Sequence, residues 1–367
     1  MWSVPQRICP LPPLCRAGRD RGVQHLRFRL ERRQPVHKGS RGKGFRDVEP
    51  AKERSSLAPF APPEDGGRVG LRDLWKPAGF TVVTCGVSYV GATIWQYENM
   101  RNQAHKAVRS AWRPAPRPKH GEWRRGLNEW WSGLTPGQRV FWPIAFANGL
   151  VFLAWRVPSL QPAMIRYFTS SPTSRSVCWP MLLSTFSHYS AIHVFLNMYV
   201  LHSFSSSAVY LMGKEQFVGF YVSAGVTSSF VSYLHKAAFG IPGISLGAVR
   251  TRESSVELGT CSPCEVVRFC VQSGAILGVL GYVCTMRPDI LLGIAFVPNV
   301  TFSAGSAVKA MLAFDTCGVV MRWKFFDHAA HLGGMLFGVG YAAYGDRAWR
   351  KREGIMDAWH AVRQRFS

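Results

Sequence analysis

The chain has 367 residues, of which 47% are hydrophobic and 13% aromatic, and its formal net charge is +23. A length of this order suits two or three soluble domains, but the charges crowd into the N-terminal third and the stretch after Gly345, leaving long apolar windows between them. A bilayer core takes about 20 mostly apolar residues per helix, and basic flanks around such windows mark a membrane protein rather than a nucleic-acid binder. Membrane lipid is therefore the expected surroundings, and no nucleic acid is expected as a partner.

In chain order, residues 1–60 are Arg-rich and lack the apolar core of a secretory signal. The pattern is that of a mitochondrial targeting segment, although Asp20, Glu31, Asp47 and Glu49 depart from the usual scarcity of acids. The first span is predicted at 77–97, "PAGFTVVTCGVSYVGATIWQY", with Trp95 and Tyr97 placed for an interface. A basic linker rich in Arg, Pro and Trp follows at 98–138. A second span covers Val140 to Trp155 and contains Pro143, which a membrane helix tolerates. Arg156 to Phe186 has no clean span and suits the interface. The third span runs from His188 through Phe204 towards Leu211, and the fourth from Phe217 to Leu234. The fifth begins at Ser273, the sixth lies within Ile290 to Phe314 with a possible extension to Met321, and the seventh covers Asp327 to Gly345. Residues 346–367 form a basic amphipathic tail. The expected fold is an all-α polytopic membrane protein with one span, a gap, and then six. Lys and Arg flank both ends of the first span, so the positive-inside rule does not orient it.

Ionisable and polar groups inside spans are costly there and are functional candidates by default. "HVFLN" places His193 and Asn197 at i and i+4, on one helix face; the pair could donate to one oxygen or serve as packing glue. "SGAILG" places Ser273 at a helix start, where serines are usually caps. "DHAAHLGGMLFG" places His331 on a Gly-rich helix whose Gly334 and Gly338 permit close helix approach, with His328 competing for the same role. A nucleophile, a base and oxyanion donors are the minimum set for acyl transfer. No acid is needed if packing orients the histidine, and the chemistry needs no metal and no organic cofactor.

The motifs "HVFLN", "SGA" and "AHLGG" together resemble the rhomboid intramembrane serine protease family. Around them, "WRVPSL", "MIRYFTS", "MLLSTFSH" and "KFFDHAAHLGG" are similar to its mitochondrial branch. The resemblance runs from about residue 77 to the tail. It implies a six-helix core over 139–345 with one extra N-terminal helix. It implies Ser273 as nucleophile, His331 as general base, and His193 and Asn197 as oxyanion donors aided by the Ser273 N–H. It also implies single-pass membrane proteins as substrates, cut in or near the inner membrane.

Other motifs compete less well. "GISLG" fits the G-x-S-x-G elbow around Ser245, but that motif needs a strand–turn–helix in a soluble sheet. Cys261, Cys264 and Cys270 lack the paired spacings of a zinc site. Cys85, Cys284 and Cys317 sit in apolar runs, where cysteine acts as a small hydrophobe. A proton or ion transporter would want carboxylates in the core spans, and none is expected there.

One departure from the family pattern stands out. Its Gly-x-Ser-Gly run is split: Gly247-Ala248 and Ser273-Gly274 are separated by 24 residues, Val249 to Gln272, six of them charged. Central charges cost roughly 2.5–3.5 kcal/mol each on insertion scales, so this insertion (249–272) must loop out of hydrocarbon. It reads as translated intron, since Val-Arg can be encoded by GTN-AGR, which suits a splice donor, and Phe-Cys-Val-Gln by TTY-TGY-GTN-CAG, which suits an acceptor; the alternative is a lineage-specific loop. Loop length alone is mild, but an ångström of displacement at a catalytic group can cost about 100-fold. The expectation is an impaired enzyme, or a rhomboid-like protein that binds or escorts membrane clients without cutting them.

Overall fold

The computed structural model describes residues 69–112, 121–174, 176–240, 273–293, 300–323 and 326–366. Gly247, Ser245, the insertion and its three cysteines, and the targeting segment lie outside these residues.

The described chain is almost entirely helical. After a 3-10 turn at Leu71–Leu74, α1 spans Trp75–Trp112, far beyond the span expected at 77–97. Residues 98–112 include three Ala and two Arg and hold no Gly or Pro, so nothing stops the helix at the membrane edge. Its 38 residues measure about 57 Å at 1.5 Å per residue, nearly twice a bilayer core. The rest of the expected linker contains α2, Glu122–Gly133. Helix α3, Pro136–Ala154, starts on a capping box between Thr135 and Gln138, with Pro136 in its first turn.

The connection from Arg156 to Phe186 folds into short pieces, among them α4 (Gln161–Phe168) and α5 (Cys178–Leu183). Helices α6 (Ala191–Met212) and α7 (Lys214–Ala238) meet at Gly213, whose φ of +85° lets the chain reverse between them. Next come α8 (Gly274–Met286), α9 (Ala304–Val320), α10 (His328–Arg350) and α11 (Glu353–Gln364). The sixth span was expected to draw on residues from Ile290 onward. In fact a two-stranded antiparallel ribbon precedes α9: β1 (Leu291–Gly293) pairs with β2 (Thr301–Ser303), Leu292 opposite Phe302. The helix begins only where the Ser303 side chain caps Ser306 N. The last span likewise runs past Gly345 to Arg350.

Two of these helices are long and apolar enough to cross a membrane alone, residues 71–110 and Lys214–Ala238; Pro136–Ala154 with Pro158–Phe168 adds a third if that pair, bent by 98°, is one span. Helix α8 has only 13 residues, about 20 Å, and every residue from Gly274 to Cys284 is buried. It is the central post of the bundle. Helix α10 packs on it through glycines: a Cβ at Gly334 would collide with the Gly274 carbonyl, and one at Gly338 with the Gly278 carbonyl. This is the close approach that the small-residue spacing predicts. On the other flank, α1 lies along α7, with Gly219 facing Ser88 and Ala92. The main core joins Leu201, Phe217, Phe220, Tyr221, Val279 and Tyr282 from α6, α7 and α8.

Candidate active site

Ser273 occupies the N-cap position of α8, yet its side chain makes no capping hydrogen bond. Its Oγ lies instead 2.6 Å from Nε2 of His331, across 58 residues of sequence. The ordinary reading of a helix-start serine is therefore replaced by a serine–histidine pair, brought together by the glycine contact between α8 and α10. Ser273 is 8% exposed, so the pair sits below the protein surface.

Behind His331 stands a residue that the sequence does not single out. Asp315, on α9, is 3% exposed, and its Oδ1 lies 3.4 Å from His331 Nδ1 and 2.8 Å from His328 Nδ1. This corrects the expectation that the core spans lack carboxylates. The signal was present, a lone acid in "MLAFDTCGVV", because an ionisable residue in an apolar helix is functional by default. A buried carboxylate without partners would cost several kcal/mol; here two imidazoles face one of its oxygens. His328, which competed with His331 on sequence, turns the other way. It is enclosed by the rings of Phe314, Trp323 and Phe326, and Gly318 leaves room for it, since a Cβ there would strike the imidazole. Phe326 also stacks on His331 at 5.9 Å.

A second acid fixes the helix that carries both histidines. Asp327 caps α10 by accepting from Ala330 N at 3.1 Å, and its other oxygen accepts from Ser232 Oγ at 2.5 Å and Lys236 Nζ at 3.1 Å. The first turn of α10 is thus tied to the last turns of α7. Gly274 completes the frame: a side chain there would overlap Ser228 on α7.

His193 and Asn197 lie in the first two turns of α6, which packs on α8. Asn197 is buried and donates one amide N–H to the His193 carbonyl at 2.9 Å; an amide nitrogen carries two donors, so one is left over. His188 stands next to His193, with ring centroids 5.6 Å apart. Among the described residues, Asp315, His328 and His331 are also the group whose ligand atoms lie within 4.8 Å of one another; the His328 Nδ1 hydrogen bond to Asp315 and the longer His331 Nδ1 contact with the same oxygen account for their convergence.

A family model described as the Rhomboid domain matches residues 175–347, which takes in every residue of this cluster. The chain belongs to the rhomboid family. It is 48% identical over 298 residues to the mitochondrial presenilin-associated rhomboid-like protein of Homo sapiens, covering 80% of this chain and 72% of that protein. The Danio rerio protein A of the same name is 42% identical over 314 residues, covering 79% and 76%. The mitochondrial Rhomboid protein 1 of Saccharomyces cerevisiae is 30% identical over 220 residues, covering 59% and 56%. With several membrane-crossing helices and mitochondrial relatives throughout, this rhomboid is a multi-pass protein of a mitochondrial membrane.

Proposed function

We propose that this rhomboid is an intramembrane serine endopeptidase of the mitochondrial inner membrane, built as six core helices plus α1, that cuts single-pass membrane proteins in or near the bilayer. The observation that carries the reading is the 2.6 Å contact between Ser273 Oγ and His331 Nε2, made by a helix-start serine that does not cap its helix. In this reading Ser273 Oγ attacks the scissile carbonyl while His331 Nε2 takes its proton. Asp315 holds the Nδ1–H edge of His331, favours the tautomer with a free Nε2, and stabilises the imidazolium that forms. The tetrahedral oxyanion receives hydrogen bonds from His193, the spare Asn197 N–H and the Ser273 backbone N–H. His331 then protonates the leaving amine, and water returns the acyl-enzyme to Ser273 through the same base. A Ser-His pair thereby becomes a Ser-His-Asp arrangement drawn from three helices, α8, α9 and α10.

The test is labelling with a fluorophosphonate probe and cleavage of a single-pass substrate in liposomes. The full chain should be labelled, Ser273→Ala should lose both labelling and cleavage, and Ser245→Ala should keep both. Labelling that survives Ser273→Ala sinks the assignment. The insertion is tested in the same assay. The Ser273–His331 contact is made in the chain that carries Val249–Gln272. What the segment replaces is the Gly-Ala that precedes the serine in the family pattern. A chain lacking Val249–Gln272 should turn over faster than the full chain, and equal rates would remove the case for an impaired, client-binding form. Transcript reads that never skip these codons would remove the intron reading.

A further inference from the structure

Helix α2 has an apolar face that nothing in the described protein covers. At 100° per residue, Trp123, Leu127, Trp130, Trp131 and Leu134 fall within a single arc of about 100°. Arg124, Arg125, Asn128, Glu129 and Ser132 fill the rest. None of the helix's residues is buried, and Trp123 is 75% exposed.

Its position is set by α3. Arg139 donates to the carbonyls of Trp131 at 3.1 Å and Ser132 at 2.6 Å, so the C-terminal end of α2 is tied to the first turn of α3. The Trp130 and Trp142 rings lie 5.9 Å apart. Trp142 opens the outward stripe of α3, which continues through Phe146, Leu150 and Leu153, all exposed and spaced by four, four and three residues. The apolar arc of α2 is therefore continuous with a bilayer-facing stripe. The end of the bundle is also defined. Gly137 abuts Ser206 and Phe141 packs on His202, both in the second half of α6, whereas Trp155 meets Tyr189 just before α6 begins. Helix α3 thus runs antiparallel to α6, and its start lies at the end opposite His193, Asn197 and Ser273.

We infer that α2 is an in-plane membrane anchor, lying in the headgroup layer of the leaflet opposite the active site with its indoles sunk towards the acyl chains. Tryptophan is enriched at that depth because its ring is apolar and its N–H wants a polar partner. The chemistry also says which lipid property matters. Two arginines balance two glutamates in α2, one pair of them Arg125 and Glu129 at 3.9 Å, so the helix has no net charge to recruit anionic lipid. Anchoring rests on the aromatic arc and holds in a zwitterionic bilayer. Helix α11 is also amphipathic and lies at the same end, but its Trp359 is spent on α1, donating to Glu98 at 2.9 Å.

The test is photocrosslinking of the full chain in phosphatidylcholine vesicles, with p-benzoylphenylalanine at Leu127, at Asn128, or at Phe146 as the bilayer control. Irradiation inserts the ketone into a neighbouring C–H bond, so a lipid adduct adds one whole phosphatidylcholine mass. Leu127 should yield that adduct at a level comparable to Phe146, and Asn128 several-fold less. Adding phosphatidylglycerol or salt should leave the ratio unchanged. Equal yields at Leu127 and Asn128, or crosslinks from Leu127 to a second copy or to another part of this chain, would overturn the inference. None of these readouts depends on proteolysis.

Discussion

The two ends of the bundle fasten their helices differently, although each buries an acid, Glu215 at the start of α7 being 7% exposed. At the Ser273 end, Asp315 and Asp327 are drawn inside and matched by His328, His331, Ser232 and Lys236. At the far end, the link between α1 and the tail is built from surface pairs: Arg352 to Gln96 at 2.8 Å, Arg363 to Glu98 at 2.9 Å, and Tyr97 with His360. A buried pair is intolerant, because removing one partner strands the other in low dielectric. An exposed pair exchanges its partner for water at little cost. The first kind positions reactive atoms; the second fastens a helix.

Substitutions at the two ends should differ accordingly. The largest effect is expected for Asp315→Asn, which removes the charge facing His331 and should lower kcat about 10³-fold with little change in KM, as loss of the orienting acid does in Ser-His-Asp enzymes. An activity within threefold of wild type would return the site to a Ser-His pair held by packing. Next is Lys236→Met, which takes away the cation facing Asp327 while Ser232 and Ala330 still donate to it, and should cost about 3 kcal/mol, read as a lower Tm in detergent. The double variant with Asp327→Asn should recover part of the loss. If the single variant melts like wild type, the tie between α7 and α10 is not what holds the histidines. A smaller effect, about tenfold in kcat (about 1.4 kcal/mol), is expected for His328→Phe. His328→Asn keeps an N–H near the Nδ1 position and should restore most of it. In the Asp315→Asn background the His328→Phe effect should vanish, since both act through one carboxylate. The smallest is Glu98→Gln at the far end, which should leave both Tm and kcat within the scatter of wild type; a marked loss would mean that the two ends are coupled.

How much of this was legible in the sequence differs from residue to residue. Gly334 and Gly338 announced a close helix contact by spacing alone, and the partner turned out to be the backbone of the Ser273 helix. The helix cores were legible too, but not their ends. Helix α1 overruns its apolar window because the residues beyond it are good helix formers, and the ribbon before α9 hides in an apolar stretch that hydropathy assigns to a span. Asp315 was visible as an acid in an apolar helix, yet nothing in its own neighbourhood said that it would meet two histidines of the next helix.

By itself the sequence determined the class of the molecule and offered candidates for its site: charge confined to the flanks, apolar windows of bilayer length, and Ser273, His331 and the His193/Asn197 pair on three separate helices. These follow from local composition and from helical period, which act over a few residues. The resemblance already pointed to His331 over His328; only the tertiary structure showed that the Ser273 side chain turns from capping to meet it and that Asp315 stands behind the pair. Those choices depend on how three helices rotate about their axes once glycine backbones touch, and that rotation is set by packing across 58 residues of chain, beyond the reach of any local pattern.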